Sequence, residues 1–321
     1  MIRLGILGCS EIAFRRFMPA IKKMNDIEVV AVAEEYAPEK TREFCNVYAI
    51  EEAESFLEII HRDDIDAVYI PQPPALHYKW AKYALENNKH VLVEKPATLS
   101  LDEAVELVEL ARARKLALHE NYMFQYHRQI NEIKKIIDSG KIGEVRLYRA
   151  DFGFPIRKSG DFRYNKDLGG GAFYDAGGYI IKLATLFLGE SIKVKTAAAS
   201  YLEGYEVDMY GSITLSNNTG HIFQASYGMD NAYKCSLNIW GNKGTLQTDR
   251  IFTAPPDYEP EIEVNTSDGE EIIKVSRDTH FIHSIEQFCK EINCNTTRQS
   301  MYRQILLQAR LMDEVRHESG I

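Results

Sequence analysis

The chain opens, over residues 2–13, with the stretch IRLGILGCSEIA. The apolar run from Ile2 to Leu7 predicts a buried strand, the glycine after it predicts a tight turn, and Phe14 and Phe17 recur at helical spacing. A strand that passes through a tight turn into a helix is the context that a phosphate-binding turn requires. The residues predicted to line a bound dinucleotide at this turn are Gly8, Cys9, Ser10, Glu11 and Ile12.

The turn departs from the full glycine fingerprint of dinucleotide-binding folds. Ser10 occupies the second glycine position and Ala13 the third. Ala13 still permits close packing of the helix on the strand, and the Ser10 hydroxyl can bond a pyrophosphate oxygen beside the helix N-terminus. Because many unrelated strand-to-helix turns contain a glycine, this turn alone is a weak signal.

The next predicted strand, Ile27 to Ala33, delivers Glu34 and Glu35 roughly twenty residues beyond the turn. A carboxylate at this position can accept the ribose hydroxyls of the adenosine half and repels a 2′-phosphate. We therefore predict NAD as the cofactor. NADP is the less favoured choice, kept open because Lys40 and Arg42 lie nearby in the sequence.

Strands and helices then alternate as far as residue 120, a pattern typical of a doubly wound parallel sheet. The predicted strand Ala67 to Ile70 ends in a stiff loop, and its residues Pro71, Gln72 and Pro73 are expected to cross the top of the sheet near the cofactor. His77, at the start of the following helix, either touches the ligand or packs against this loop.

The segment His90 to Pro96 is the predicted chemical centre of the chain. Its aliphatic residues predict a short strand buried on both faces, which ends in Glu94, Lys95 and Pro96. A lysine fixed at the carboxyl end of a parallel strand faces the crevice where open α/β sheets bind ligands. Lys95 is therefore the first catalytic candidate, with Glu94 and Pro96 beside the cofactor. The alternative is that Glu94 and Lys95 are solvated charges at the start of a loop.

From about residue 121 the pattern changes to successive strands with few helices between them, which predicts an α+β domain with a large, mostly antiparallel open sheet. A chain of 321 residues is long enough for two domains. We predict a dinucleotide-binding Rossmann domain over residues 1–120 and a substrate-binding and oligomerisation domain over residues 121–321. A bare face of the second sheet would associate with another copy, which predicts a homodimer or homotetramer.

A second set of candidates lies around the three glycines at residues 169–171. Asp175 and Tyr179 follow them four residues apart, so on a helix they share one face and can act on one substrate. The alternative is that Asp175 caps or pairs at the domain junction and that Tyr179 is packed core. The residues predicted to contact the substrate are Tyr122, Gln125, Arg163 and Tyr179.

Composition and charge narrow the function classes. The formal net charge of -9 argues against a nucleic-acid or anionic-membrane partner. No apolar run approaches the ~18 residues of a membrane helix, and the five scattered cysteines suggest a reducing compartment. We therefore expect a cytoplasmic protein with a small-molecule substrate. His280 and His283 have metal-like spacing but no cysteine or carboxylate cluster around them, so no metal site is predicted.

Four motifs together resemble those of one enzyme family. They are the turn from Gly8 to Ala13, the loop from Pro71 to His77, the tripeptide Glu94-Lys95-Pro96, and Glu120-Asn121-Tyr122-Met123-Phe124. In this combination they resemble the glucose-fructose oxidoreductase/inositol dehydrogenase family of NAD(P)-dependent oxidoreductases. The resemblance implies a two-domain enzyme in which Lys95 lies beside the nicotinamide and the substrate, often with a cis bond before Pro96.

The resembling family usually has a histidine four residues after the aspartate that matches Asp175, and Tyr179 stands there in this chain. This resembles the branch that includes nucleotide-sugar ketoreductases, dihydrodiol dehydrogenases and glucose-fructose oxidoreductase, and it makes the tyrosine the candidate proton donor or acceptor. The implied reaction is hydride transfer between nicotinamide C4 and a carbinol or keto carbon of a sugar, nucleotide sugar or polyol. The alternatives are a dehydrogenase of a small cyclic diol and a non-catalytic dinucleotide-binding regulator, which would be expected to lack Lys95.

Overall fold

A computed structural model describes residues 1–321, apart from the side chain of Pro38. Contacts group the chain into two units. The first unit contains Met1–Asn121 and Phe281–Ala309, and the second contains Tyr122–His280 and Arg310–Ile321. The sequence-based division at residues 120 and 121 therefore differs from the observed grouping for Phe281–Ala309, which return to the first unit.

Six parallel strands form the sheet of the first unit, in the order β3-β2-β1-β4-β5-β6. The strands are β1 (Ile2–Leu7), β2 (Ile27–Ala33), β3 (Glu51–Glu52), β4 (Ala67–Ile70), β5 (His90–Val93) and β6 (Leu118–Glu120). The helices between them are α1 (Met18–Ile21), α2 (Pro38–Tyr48), α3 (Phe56–His61), α4 (Pro74–Glu86) and α5 (Leu101–Arg114). The predicted doubly wound parallel sheet is confirmed.

The position of the candidate residues follows from this strand order. Strands β4 and β5 are buried along nearly their whole length and pair directly, and β1 pairs with β4 on the other side. Gly8, Pro71 and Glu94 each follow the last residue of one of these three strands. Because parallel strands end at the same edge of a sheet, the loops that carry these residues lie along one edge.

Eight strands form the sheet of the second unit, in the order β14-β13-β12-β11-β7-β10-β9-β8. They are β7 (Val145–Gly153), β8 (Lys193–Tyr201), β9 (Asp208–Ser216), β10 (Ile222–Gly228), β11 (Lys234–Gly241), β12 (Gly244–Asp249), β13 (Glu261–Thr266) and β14 (Gly269–Lys274). Strands β7 and β10 pair in parallel and the other neighbours are antiparallel, which confirms the mostly antiparallel sheet.

The remaining helices are α6 (Arg128–Asp138), α7 (Gly178–Leu188), α8 (His280–Asn293) and α9 (Asn295–Ser319). The start of α9 belongs to the first unit because Met301, Tyr302 and Ile305 join its hydrophobic core. The Tyr302 hydroxyl also donates to the carbonyl of Leu116. No helix in the described part of the chain is long and apolar enough to cross a membrane.

Candidate active site

The turn after β1 has a shape that only glycine allows at Gly8. Its φ of 124° is unfavourable for other residues, and a Cβ there would lie 1.9 Å from Gln72 Nε2. The same Gln72 nitrogen donates to the carbonyl of Leu7 at 2.6 Å. The loop after β4 therefore fixes the end of β1, and the Gln72 amide occupies the space that a side chain at position 8 would need.

After this turn, a π-helical segment, Ala13–Phe17, leads into α1, and the Ser10 side chain bonds its first residue. The Ser10 Oγ accepts a hydrogen bond from the Ala13 N–H at 3.2 Å, which leaves the Ser10 hydroxyl proton for another acceptor. Glu11 is exposed and pairs with Arg15, so its contribution to an anion site comes through its backbone N–H. Burial, reinforced by the Glu34 carboxylate, raises the pKa of Cys9 to about 12, so this thiol stays neutral.

The two glutamates after β2 have different partners. Glu34 accepts from the Cys9 N–H at 2.8 Å and from the Tyr36 N–H at 2.9 Å. Glu35 accepts from the Phe56 N–H at 3.0 Å, at the start of α3. Glu34 is thus the carboxylate at the turn, and each of its oxygens already has a backbone donor.

His77 is a scaffold residue of the two loops. It is fully buried, with its ring nitrogens 2.7 Å from the carbonyl oxygens of Pro96 and Gln72. Burial lowers the pKa of His77 to about 4, so the neutral ring donates to one of these carbonyls. Of the two roles considered from the sequence, the structure places His77 against the proline loop.

The Lys95 loop is held on both sides of the lysine. The Lys95–Pro96 peptide bond is cis. Before it, Glu94 Oε1 accepts from Tyr69 Oη at 2.7 Å and from Asn121 Nδ2 at 2.6 Å. Burial raises the pKa of Glu94, and these two donors oppose that shift. Glu94 is a buried, hydrogen-bonded carboxylate, so the interpretation of it as a solvated loop charge is wrong.

These features fit a dinucleotide in the first unit. The turn lies between the end of β1 and the start of a helical segment, which is where dinucleotide-binding folds bind a phosphate. The residues from Gly8 to Ile12 would hold the pyrophosphate, and Glu34 lies where the adenosine ribose is expected. Within the described residues, no group of three or more histidine, cysteine, aspartate or glutamate side chains is placed to hold a metal ion.

In the second unit, Asp175 and Arg163 form an ion pair. Arg163 Nε lies 2.6 Å from Asp175 Oδ2, and Arg163 Nη1 lies 3.1 Å from Asp161 Oδ1. Burial alone would lower the pKa of Arg163, but the two carboxylates raise it above its ordinary value. The charge of Arg163 is therefore neutralised by two aspartates, which weakens the prediction that Arg163 contacts the substrate. Asp175 matches the pairing role that we considered as the alternative to catalysis.

Tyr179 lies in an aromatic cage at the start of α7. Its ring contacts those of Tyr122, Phe124, Phe152 and Phe252, with centroids 5.3–5.9 Å away. Its hydroxyl donates to the Met123 sulfur at 3.6 Å, a weak acceptor. The cage fixes the ring through apolar contacts.

Tyr122 and Gln125 differ in what they can offer a substrate. Tyr122 is fully buried, and its hydroxyl lies against Met312 Sδ at 4.0 Å and close to the Cα of Gly178. It therefore packs beside Tyr179, contrary to a simple pocket-lining role. Gln125 Nε2 is buried and has no hydrogen-bond partner among the described residues, so it is available to donate to a bound ligand.

Asp208, the first residue of β9, holds the segment that leads into α7. The Asp208 carboxylate accepts from the Phe173 N–H at 2.8 Å, and a Cβ on Gly171 would lie 2.3 Å from Asp208 Oδ1. Burial raises the pKa of Asp208 to about 6, although the Phe173 hydrogen bond opposes this shift. Sequence reasoning missed Asp208, and likewise Tyr69, because neither residue lies within a recognisable motif.

Comparison with known proteins gives matches over both halves of the chain. A family model described as an oxidoreductase family with an NAD-binding Rossmann fold matches residues 2–122, and a GFO/IDH/MocA C-terminal domain model matches residues 130–247. The chain is 36% identical to dTDP-3,4-didehydro-2,6-dideoxy-alpha-D-glucose 3-reductase from Actinomadura kijaniata, over 98% of this chain and 95% of that protein.

Two solved structures of KijD10, a 3-ketoreductase from Actinomadura kijaniata, share this fold. One is a tyrosine-to-phenylalanine variant in complex with TDP-benzene and NADP, with a TM-score of 0.95 and 35% identity, covering 99% of this chain and 98% of that one. The other is a lysine-to-alanine variant with the same two ligands, with a TM-score of 0.92 and 33% identity over the same shares of both chains.

Proposed function

Because the chain belongs to the GFO/IDH/MocA family of NAD(P)-dependent oxidoreductases, we propose that it reduces a keto group of a nucleotide-linked sugar. The observation that carries this proposal is Lys95 on the cis-proline loop at the end of β5, in a chain related over 98% of its length to a sugar 3-reductase. The family resemblance and the enzyme class predicted from the motifs are confirmed. The sugar substrate and the roles below are our proposals.

We propose that Lys95 donates a hydrogen bond to the keto oxygen and stabilises the negative charge that develops there. Tyr179 supplies the proton that turns this oxygen into a hydroxyl. Asp175, paired with Arg163, positions the start of the helix that carries Tyr179. When bound, the nicotinamide supplies the hydride, and the task of the protein is alignment and proton management.

The variants of KijD10 support this pair of residues. The lysine and the tyrosine that were substituted in that enzyme are separated along its chain by the same number of residues as Lys95 and Tyr179. A non-catalytic regulator would have no need of either side chain. This correspondence favours the enzyme over the regulator that we considered from the sequence.

The two units take different parts in this proposal. The first unit binds the dinucleotide through the turn after β1, with Pro71, Gln72 and Pro73 shaping the neighbouring loop. The second unit supplies the wall for the sugar, and Gln125 Nε2 donates to the substrate because its amide is otherwise unsatisfied.

We propose NADP as the working cofactor, in place of the NAD that the acidic residues after β2 suggested. The solved KijD10 structures contain NADP. In this chain Glu34 is engaged by the N–H groups of Cys9 and Tyr36, and Glu35 caps α3. Both carboxylates are therefore less available as ribose acceptors than the sequence pattern implied.

The substrate and the cofactor are tested together by steady-state assays of the purified protein. We expect loss of NADPH absorbance with a dTDP-linked 3-keto sugar, at a kcat/KM at least about tenfold above that for the free keto sugar. We also expect a higher kcat/KM with NADPH than with NADH. Turnover of free sugars or cyclic diols alone would contradict the nucleotide-sugar substrate, and a preference for NADH would restore Glu34 as a selector for NAD.

We further propose that the open face of the second sheet joins two copies of the chain. Trp240, Leu147 and Ile222 lie opposite one another on neighbouring strands and so share one face, with Trp240 63% and Ile222 41% exposed. An apolar strip across a broad sheet favours a self-complementary contact. Trp240→Glu is expected to lower the mass measured by sedimentation equilibrium. The exposed residue Leu57 of α3 gives a matched control, Leu57→Glu, and equal masses for both variants would contradict this interface.

A further inference from the structure

A continuous chain of buried hydrogen bonds connects Glu94 to helix α8 within the first unit. Asn121 Nδ2 donates to Glu94, and Ser284 Oγ donates to Asn121 Oδ1 at 2.7 Å. His119 Nε2 lies 3.0 Å from Ser284 Oγ, and His119 Nδ1 lies 3.1 Å from each carboxylate oxygen of Glu291. The side chains of His119, Ser284 and Glu291 are fully buried.

The donor and the acceptor of each hydrogen bond in this series can be assigned by starting from Glu94. The Glu94 carboxylate can only accept, so the Asn121 amide presents Nδ2 to it and Oδ1 to Ser284. The Ser284 hydroxyl has one proton, and it donates that proton to Asn121 Oδ1. Ser284 Oγ must therefore accept from a proton on His119 Nε2.

The other nitrogen of His119 then faces an acceptor. Glu291 already accepts a hydrogen bond from Gln287 Nε2 at 3.2 Å. A lone pair on His119 Nδ1 would face both oxygens of Glu291 at equal distance, which is repulsive. Because imidazole is ordinarily a stronger base than a carboxylate, a proton shared between the two resides on His119.

The end of β6, where Glu120 and Asn121 lie, also holds the backbone around Lys95. The Asn121 N–H donates to the carbonyl of Val93 at 2.9 Å, two residues before Lys95. Glu120 Oε1 accepts from the N–H of Ala97 at 2.9 Å, two residues after it. Asn121 thus joins the buried chain to the segment that presents Lys95.

We propose that His119 is a buried imidazolium paired with Glu291, and that this pair, through Ser284 and Asn121, positions the Glu94–Lys95 segment. The role rests on the proposed function, in which Lys95 is the group that contacts the substrate. His119, Ser284 and Glu291 are positioning residues. They fix the direction of the hydrogen bonds that hold Glu94, and a misplacement of the reacting groups by about 1 Å can cost 10²-fold in rate.

The charge on His119 is tested by NMR of protein labelled with ¹⁵N-histidine, and this measurement does not depend on activity. The His119 signals, assigned by their loss in His119→Asn, are expected to show a proton on each ring nitrogen. Glu291→Gln is expected to convert them to the signals of a neutral ring. A neutral His119 in the unaltered protein would overturn the proposal.

The positioning role is tested by kinetics. Ser284→Ala is expected to lower kcat about 10- to 100-fold with an unchanged KM for NADPH. Ser236→Ala is the matched control, because Ser236 is a buried serine of the second unit whose Oγ has no hydrogen-bond partner among the described residues.

The outcomes separate the two proposals. An unchanged kcat in Ser284→Ala, together with an inactive Lys95→Ala, would overturn the positioning role and leave the proposed function standing. A fully active Lys95→Ala would overturn the proposed function and the positioning role together, whereas the NMR result would still decide the charge on His119.

Discussion

Lys95→Ala is expected to lower kcat for the keto sugar by about 10²- to 10³-fold, with little change in the affinity for NADPH. The substitution removes the ammonium that we propose stabilises the substrate oxygen as negative charge develops on it. The tight turn at Gly8 and the Gln72 contact to Leu7, which shape the proposed dinucleotide site, do not involve this side chain. Steady-state assays and NADPH fluorescence titration measure the two quantities.

The matched control for this variant is Lys79→Ala. Lys79 is an exposed lysine on α4 of the same unit, where its ammonium lies over the ring of Trp80. Its loss changes the net charge by the same amount as the loss of Lys95, so an effect of charge alone would appear in both variants. Normal turnover by Lys95→Ala would remove Lys95 from the reaction.

Tyr179→Phe is expected to lower kcat by about 10²-fold or more, because it removes the hydroxyl that we propose as the proton donor. The ring and the aromatic contacts that fix it are kept. We therefore expect a nearly unchanged melting temperature, measured by differential scanning fluorimetry. This combination would separate a chemical role from a packing role.

Tyr148→Phe provides the comparison for Tyr179→Phe. Tyr148 is a buried tyrosine of β7 in the same unit, where it stacks on Phe187. The Tyr148→Phe variant should retain normal kcat, since we assign Tyr148 no role in the reaction. If Tyr179→Phe also retained normal kcat, Tyr179 would be a packed core residue, which is the alternative that the sequence left open.

The features that could be predicted from the sequence are those encoded locally. The strand from His90 to Val93 followed by a charged residue, a lysine and a proline specified both the buried parallel strand and the position of Lys95 at its end. Gly8 likewise specified a tight turn, whose positive φ and close Gln72 contact leave no room for a side chain. In both places, neighbouring residues determine the conformation.

The features that could not be predicted depend on contacts between distant parts of the chain. The pairing of His119 with Glu291 joins residues 172 positions apart, and the sequence around Glu291 carries no motif that signals it. The pairing of Arg163 with Asp175 depends on how a loop folds back on a helix start. The partners of Glu34 show the same limit, because the pattern predicted a carboxylate at the turn without revealing that backbone donors engage it.

The central claim is that Lys95 and Tyr179 act on one substrate oxygen, and a double-mutant cycle on kcat/KM for the dTDP-linked keto sugar tests it most directly. If both groups serve the same oxygen, the combined variant Lys95→Ala with Tyr179→Phe should lose little more activity than the more impaired single variant. If the two losses multiply, the groups act independently, and the claim of a shared substrate oxygen is contradicted.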